Sequence, residues 1–557
     1  MAVDTIKHVT EIMDVLQEGD IKVAGQIIHD LSSGVYSTPA VALKEIVNNS
    51  YDACASLVTI RMLPHLDTIQ IHDNGEGMNW KDFDENFTWI SKSNKRNQGE
   101  ISQCGRPLIG KIGIGFIAVN EICDKMEVIS SKKGEPIKFT ATIDFVSINE
   151  ESDISKIESS DKENESKKGA LRGKYKLINE YENKDEHYTT INLIGIKDTA
   201  KAILNNQLYK SNLSRPAEDK RRKERRGRYK YFNSMKDLLE IHSKRDLHGF
   251  SEDDYYLQFA IELASYIPVE YLEGGPIEGV TDEVLQEIVE EQRKLNFKVD
   301  LDGIYLKKPI YFARDPEILF KVKSFRETIP VKNGPALKFK GYFYCQNTTI
   351  FPRELNGISI KLKNVPIAKR FGFDSTFLDY PYYTDQIFRN WVSGEIYVES
   401  GLEEAMNIDR QSFRETQESY IKIQDFLHKS LRETVFGEMA MSLYNQGKKN
   451  RESAKAEQEE QTVKKLWKGA EIEEVIDLPP NIPYYIPIDV KESENKTKII
   501  VSRNRAEIYN KSEWLRLRPV LLIFERALQE SNGDIDKMRD TFYKEIADYF
   551  RKQRKSR

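Results

Sequence analysis

The sequence predicts an α/β chain of three or more domains, and three observations carry the prediction. The chain runs to 557 residues, too many for one hydrophobic core. Residues 37–57 place apolar side chains at helical intervals, and the next two segments, VTIRML (58–63) and TIQIHDNG (68–75), alternate as half-buried strands do. The proline-bearing LPPNIPYYIPI (478–488) marks a late boundary, beyond which strand and helix patterns resume.

Residues 6–30 show helical spacing, and the helix over 37–57 has Pro39 near its start, where a missing N–H costs little. From Asn79 to Glu121 the pattern is helical and loop-like, with glycines at 99, 105, 110, 113 and 115. KMEVISSK (125–132) and IKFTATIDF (137–145) predict a hairpin, and HYTTINLIGI (187–196) a further strand. The stretch 147–170 is polar, charged and aperiodic, so a flexible insertion is expected there. The first domain is thus expected over 1–200. A basic linker follows over 201–254, dominated by DKRRKERRGRYK (219–230). Strand patterns in GYFYCQ, ISIKLKNVPIA and GEIYVES, with a helix from about Ser412 to Phe436, predict a middle α/β domain over 255–440. A Lys-, Glu-, Gln- and Ala-rich helical connector is expected over 441–477. A small C-terminal α/β unit is expected over 478–557, with a strand at KTKIIVSR and helices on LRPVLLIFERAL and MRDTFYKEIADYF.

Apolar residues make up 39% and charged residues 31%, as in a globular, charge-rich protein rather than a disordered or fibrous one. A net charge of −5 gives no global case for nucleic-acid binding, so any such case must be local. Cys54, Cys104, Cys123 and Cys345 lack paired metal spacing, and so few cysteines do not suggest a disulfide scaffold. No segment reads as a signal peptide or a membrane span, which leads to the expectation of a cytoplasmic protein with no membrane partner. The histidines form no ligand cluster, so no structural zinc is expected.

Chemistry concentrates in the first domain. ALKEIVNNSYDA (42–53) stacks Glu45, Asn49 and Asp52 at i, i+4 and i+7 along one helical stripe. DNGEGM (73–78) sets a carboxylate, Asp73, at a strand end before a turn containing Gly75 and Gly77. GKIGIGF (110–116) places three glycines at the start of an apolar helix, where backbone N–H groups approach phosphate oxygens. Asp73 suits the exocyclic amine of an adenine. Asn49 offers an amide oxygen to Mg²⁺, a hard cation. Glu45, one turn earlier, is placed to orient or deprotonate an attacking water. GKIGIGF lacks the Lys-Ser/Thr ending of a Walker A loop and the spacing of a dinucleotide fingerprint.

E-x-x-x-N-x-x-D-A at 45–53, D-x-G-x-G-M at 73–78 and G-x-x-G-x-G-F at 110–116 together resemble the GHKL ATPase superfamily. That group includes DNA gyrase, the ninety-kilodalton heat-shock chaperones, histidine kinases, MutL and MORC proteins. NFTWISKSNK (86–95) and YSTPAVALKEIVNNSYDA (36–53) resemble the chaperone branch, as does GLEEAMNIDRQSF (401–413) far downstream. The resemblance covers about 20–200 and, more loosely, 255–440. It implies an N-terminal GHKL (Bergerat) α/β sandwich and a middle α/β transducer domain. It also implies ATP and Mg²⁺ as ligands, with Glu45 as catalytic carboxylate and Asn49 as the metal ligand. Asp52, Asp73, Gly75, Gly77, Met78, Asn86, Lys92, Gly110, Lys111, Ile112, Gly113, Ile114, Gly115, Phe116 and Thr189 fall where the family contacts the nucleotide. Asn407 and Arg410 fall on the middle-domain loop that reaches the γ-phosphate. His72 precedes Asp73 on a strand, not on a dimerisation helix, which argues against a histidine kinase.

The resemblance further implies a lid over roughly 91–109, ATP-dependent association of two chains through their N-terminal segments, and action on a protein client or partner subunit. The basic block carries eight Lys or Arg in twelve residues. It is read either as a solvated linker or as a contact for nucleic-acid phosphates. The second reading fits a MORC- or MutL-like ATP-gated DNA clamp, or a regulatory ATPase subunit of a bacterial defence system.

Overall fold

The computed structural model describes residues 38–555 apart from 64, 66, 88–100, 110–116, 147–174, 205–233, 247–254, 276, 278–279, 312–317, 333, 372–389, 408–411, 451–452, 454–470, 484–485, 494–495, 503 and 506–510. The helix expected over 6–30, the insertion at 147–170 and the basic block at 219–230 lie outside the described residues. The chain divides into two compact units, Met1–Ala440 and Met441–Arg557.

In the first unit, helix α1 (Pro39–Asp52) starts where Thr38 Oγ1 accepts the Val41 N–H and Pro39 occupies the first turn. The sequence pattern extends the helix to 57, but it stops at Asp52. Cys54 adopts a left-handed backbone, φ 61°, which redirects the chain into β1. Ala40, Leu43, Ile46, Val47 and Tyr51 bury one face of α1 in a core shared with the sheet beneath it.

Among the described residues that sheet has eight strands: β1 (Leu57–Leu63), β2 (Thr68–Asp73), β3 (Cys123–Ser131), β4 (Ile137–Asp144), β5 (Tyr175–Tyr181), β6 (Tyr188–Ile196), β7 (Lys298–Leu301) and β8 (Ile304–Tyr305). Their order is β5-β4-β3-β6-β2-β1-β7-β8. The hairpin expected from 125–132 and 137–145 is β3–β4, paired antiparallel. Strand β5 escapes the sequence pattern because it lies at an edge with most side chains exposed, so no alternation marks it. Strand β7 pairs parallel with β1. The Arg61 guanidinium donates to both carboxylate oxygens of Asp300 at 2.9 and 2.7 Å across that pair. Asp302 accepts the Met62 N–H at 3.1 Å and the Tyr256 hydroxyl at 2.8 Å.

Helices α2 (Asp198–Leu204) and α3 (Met235–Asp246) contribute to the same core. So does α4 (Tyr255–Tyr266), through Tyr256, Leu257, Phe259, Ala260 and Leu263. The stretch 255–306, placed in the middle domain by the sequence pattern, therefore supplies a helix and two strands to the N-terminal layers. Its apolar residues fit either core, and only the pairing of β7 with β1 decides between them.

The second sheet of this unit comprises β9 (Phe320–Ile329), β10 (Leu337–Gln346), β11 (Gly357–Leu362), β12 (Val365–Phe371) and β13 (Val392–Ser400), in the order β12-β11-β13-β10-β9. Helix α5 (Glu283–Lys294) packs Leu285 and Ile288 against Tyr342 and Tyr344. Helix α6 (Glu418–Ser430) sets Phe426 against Phe325 and Phe339 at 5.1 and 4.9 Å between ring centroids.

The second unit carries β14 (Glu471–Val475), β15 (Ile488–Ser493) and β16 (Lys496–Ser502) in the order β14-β16-β15. Helices α7 (Lys511–Ser531) and α8 (Ile535–Lys555) share with it a core of Trp514, Leu522, Ile523 and Tyr549 on Ile499 and Val501. Strand β14 comes from the stretch expected as a helical connector. Among the described residues no helix is long and apolar enough to cross a membrane, and no acidic, His or Cys cluster could hold a metal.

Candidate functional site

Strand β2 ends at Asp73, directly below α1. Its carboxylate is buried, with 5% relative exposure. Oδ2 accepts the Ser50 hydroxyl at 2.8 Å and Oδ1 accepts the Gly75 N–H at 2.9 Å. Burial pushes the Asp73 carboxyl above the ordinary carboxylate range, and the bonds from Gly75 and Ser50 work against that rise. A buried carboxylate held on both oxygens is a fixed acceptor, not a mobile surface charge. Ser50 was not among the residues singled out from sequence, although it sits one residue after Asn49 on the same helix.

Thr189 lies opposite Asp73 in the β2–β6 register and is buried. Its hydroxyl is 3.0 Å from that of Ser130. Ser130 in turn accepts the Met78 N–H at 2.9 Å and donates to the Tyr188 carbonyl at 2.8 Å. The glycine turn is thereby fixed to β3 and β6. His187 adds a ring N–H to the Gly75 carbonyl at 2.7 Å.

The two glycines of the turn are there for the protein's own backbone. Gly77 has φ +65°, and a Cβ on it would stand 1.8 Å from the Ser131 carbonyl oxygen. A Cβ on Gly75 would stand 2.8 Å from the Ala53 carbonyl oxygen and 2.9 Å from Asp73 Oδ1.

On α1 the stripe divides by environment. Glu45 is half-buried, its Oε1 3.9 Å from Lys44 Nζ. Asn49 is exposed, whereas its neighbour Asn48 is buried with neither amide atom hydrogen-bonded. Of the two consecutive asparagines, Asn49 alone is accessible to a hydrated cation. An accessible amide oxygen is a hard donor of the kind Mg²⁺ takes, so Asn49 fits that role, one turn of helix from Glu45.

Asp52 closes the stripe. It is buried, and its Oδ1 accepts the Ile109 N–H at 2.8 Å. The segment Ile101–Ile109, the described part of the expected lid, is clamped at the same end of α1. Arg106 donates to the Ala55 and Tyr51 carbonyls at 2.6 and 3.3 Å and to the Asn296 carbonyl at 3.0 Å. Its guanidinium carbon lies 5.0 Å from the Tyr51 ring centroid. Cys54 and Cys104 form a disulfide here, their Cα atoms 5.8 Å apart. This single bridge is not a scaffold, and the cysteine count does not single out the pair. Fifty residues separate the pair, and only the docking of 101–109 on α1 brings them together.

Asn407 anchors its loop: its Nδ2 donates to Ser412 Oγ at 2.8 Å, and its N–H to the Ser412 carbonyl at 3.0 Å. Met406 and Phe413 pair as an antiparallel bridge that closes the loop. Arg410, Lys92, the side chain of Asn86 and all of Gly110, Lys111, Ile112, Gly113, Ile114, Gly115 and Phe116 lie outside the described residues.

Residues 36–172 match the family model described as histidine kinase-, DNA gyrase B- and HSP90-like ATPase. The chain is 29% identical over 133 residues to the chaperone protein HtpG of Rickettsia canadensis, covering 20% of this chain and 21% of that protein. It is 27% identical over 157 residues to HtpG of Orientia tsutsugamushi, covering 24% and 23%. It is 36% identical over 112 residues to the putative type II restriction enzyme HgiDII of Herpetosiphon aurantiacus, covering 20% and 18%. The chain thus spans about a fifth of the length of these curated relatives. The α1 carboxylates, the buried Asp73 and its glycine turn all fall within residues 36–172, and that segment matches the GHKL-type ATPase domain, with Hsp90-like chaperones among the relatives.

Proposed function

We propose that this chain hydrolyses ATP with Mg²⁺ and uses the cycle to remodel a protein partner. The observation that carries the reading is the buried Asp73 carboxylate, held by Ser50 and Gly75 at the foot of α1. Such a carboxylate accepts the exocyclic amine of adenine, and Thr189 stands beside it across the strand pair. Asn86, Lys92, Met78 and the backbone of 110–116 complete the nucleotide contacts. Glu45 orients and deprotonates the attacking water. Asn49 would hold Mg²⁺, which supplies charge neutralisation on the phosphates when bound. Asn407 and Arg410 act on the γ-phosphate, so turnover waits until their loop arrives. The bound nucleotide favours a closed lid and association of two N-terminal segments, and hydrolysis releases both.

The test separates binding from chemistry. Glu45→Ala should retain Mg·ATP affinity by calorimetry and lose turnover. Asp73→Asn should weaken binding, because one of the two acceptor oxygens that meet Ser50, Gly75 and the adenine amine becomes an NH2 donor. Arg410→Ala should slow turnover with affinity unchanged. Wild-type turnover in Glu45→Ala would end the catalytic assignment.

A second reading has its own support in the restriction-enzyme relative and the basic block at 219–230. It takes the chain as an ATP-gated clamp on nucleic acid or a regulatory ATPase of a defence system. Its mark is duplex DNA binding that falls steeply with salt and is lost when the arginines of 221–228 become alanine. Salt-insensitive or absent DNA binding removes it.

A further inference from the structure

A cavity of about 290 Å³ is lined by residues of α4 and of the second sheet of the first unit, and neither Glu45 nor Asn49 is among them. Its lining includes Lys308, Lys361 from β11, Arg370 from β12 and Glu395 from β13. Both lysines are buried, at 1% and 2% exposure. Buried cations demand anionic or hydrogen-bonding partners. Glu395 is the one buried carboxylate among the lining residues, and it is fully engaged. Oε1 lies 2.6 Å from Lys361 Nζ, and Oε2 accepts the hydroxyls of Tyr342 at 3.1 Å, Tyr397 at 3.0 Å and Tyr271. Lys308 instead donates to Gln292 Oε1 at 2.6 Å and reaches the Tyr397 hydroxyl at 3.5 Å. Arg370 Nη1 donates to the Gly357 and Gly394 carbonyls and to Ser393 Oγ, while Nη2 lies 3.7 Å from the Glu395 carboxylate. Burial, with Lys361 nearby, pushes the Lys308 ammonium well below its ordinary range, so an arriving anion binds there with uptake of a proton by Lys308.

Two further carboxylates, Glu262 and Glu354, line the same cavity. Glu354 accepts the His242 ring N–H at 3.0 Å. Glu262 comes from α4, whereas Lys361 and Arg370 come from the second sheet. The lining therefore opposes long polyanions and suits an anion at one end with a hydrogen-bond donor at the other.

We propose that this cavity binds a small molecule bearing an oxyanion, phosphate or carboxylate, on Lys308, Lys361 and Arg370, with an amine or hydroxyl toward Glu262. Its lining shares no residue with those assigned to the nucleotide, and the proposal does not depend on that assignment. Calorimetric titration of the full chain, saturated with a non-hydrolysable ATP analogue, tests it with inorganic phosphate, O-phosphoethanolamine and succinate. Phosphoethanolamine should bind more tightly than phosphate, and the succinate arm decides between phosphate and carboxylate. Arg370→Gln and Lys308→Met should each weaken binding about tenfold or more, the loss expected for a charge-assisted bond. Ser359→Leu keeps every charge and fills the cavity from β11, so it should abolish binding while circular dichroism stays unchanged. No binding of any of the three probes, or equal affinity in wild type and Ser359→Leu, overturns the proposal. Nucleotide binding is measured in the same samples, so either reading can fail while the other stands.

Discussion

The Asp52 carboxylate accepts the Ile109 N–H at 2.8 Å. The last residue of α1, the helix that carries Glu45, is thereby tied to the residue that precedes the glycine-rich sequence 110–116. Asp52→Ala leaves a buried N–H unpaired and should cost about 1–3 kcal/mol in urea unfolding. Asp52→Asn retains an acceptor oxygen and should cost less. Nucleotide affinity should fall in the same order, and an Asn variant as weak as the Ala variant would show that charge matters more than anchoring.

Two glycines with left-handed backbones make a matched pair. A Cβ on Gly77 meets the Ser131 carbonyl, whereas one on Gly134, φ +84°, meets nothing within 4 Å. Gly134→Ala should cost only the conformational strain, about 1–2 kcal/mol. Gly77→Ala should add a packing clash of about 1–3 kcal/mol and weaken nucleotide binding as the turn moves off Asp73. Equal melting temperatures for the two variants would contradict the close approach.

Asn48 is buried at 1% exposure with both amide atoms unpaired. Asn48→Leu removes two unsatisfied groups at similar volume and should raise the stability of the nucleotide-free chain by about 1 kcal/mol or more. Denaturant midpoints at constant m-value give the answer. A destabilised Asn48→Leu would mean that the amide is held in the native chain.

The acid limb of stability should depend on Glu395. Burial alone would raise its carboxyl, but Lys361, Lys308 and Arg370 bring it down to about 2 from 4.5. A lowered native value means that the unfolded chain binds more protons between those limits. Glu395 therefore contributes stability above pH 4.5, lost as the pH falls toward 2, on the order of 3 kcal/mol in all. Urea unfolding at pH 5 and pH 3 should show a shallower loss in Glu395→Gln than in the parent chain. Parallel losses would sink the assignment.

Much of the site's chemistry is readable without coordinates. Glu45, Asn49 and Asp52 fall on one stripe because helical periodicity puts them there. Asp73 and its glycines are ordinary turn residues by themselves and stand out only through their order after the helical stripe and before 110–116. The second sheet's strands also announce themselves, since β10, β11 and β13 are β-branched and aromatic runs. Edge strand β5 and the short β7–β8 pair were not readable, because exposed or brief strands leave no alternation.

The sequence by itself determined the local elements and the kinds of chemical group near the nucleotide site, since periodicity and turn chemistry act within a dozen residues. Only the tertiary structure decided which of Asn48 and Asn49 is accessible, that Ser50 holds Asp73, and that Cys54 meets Cys104. It also decided that β7 joins β1 through Arg61 and Asp300, and that Lys361, Lys308 and Glu395 share one buried cavity. Each of these depends on packing or on pairing between distant segments, and neither leaves a signature in a single stretch of chain.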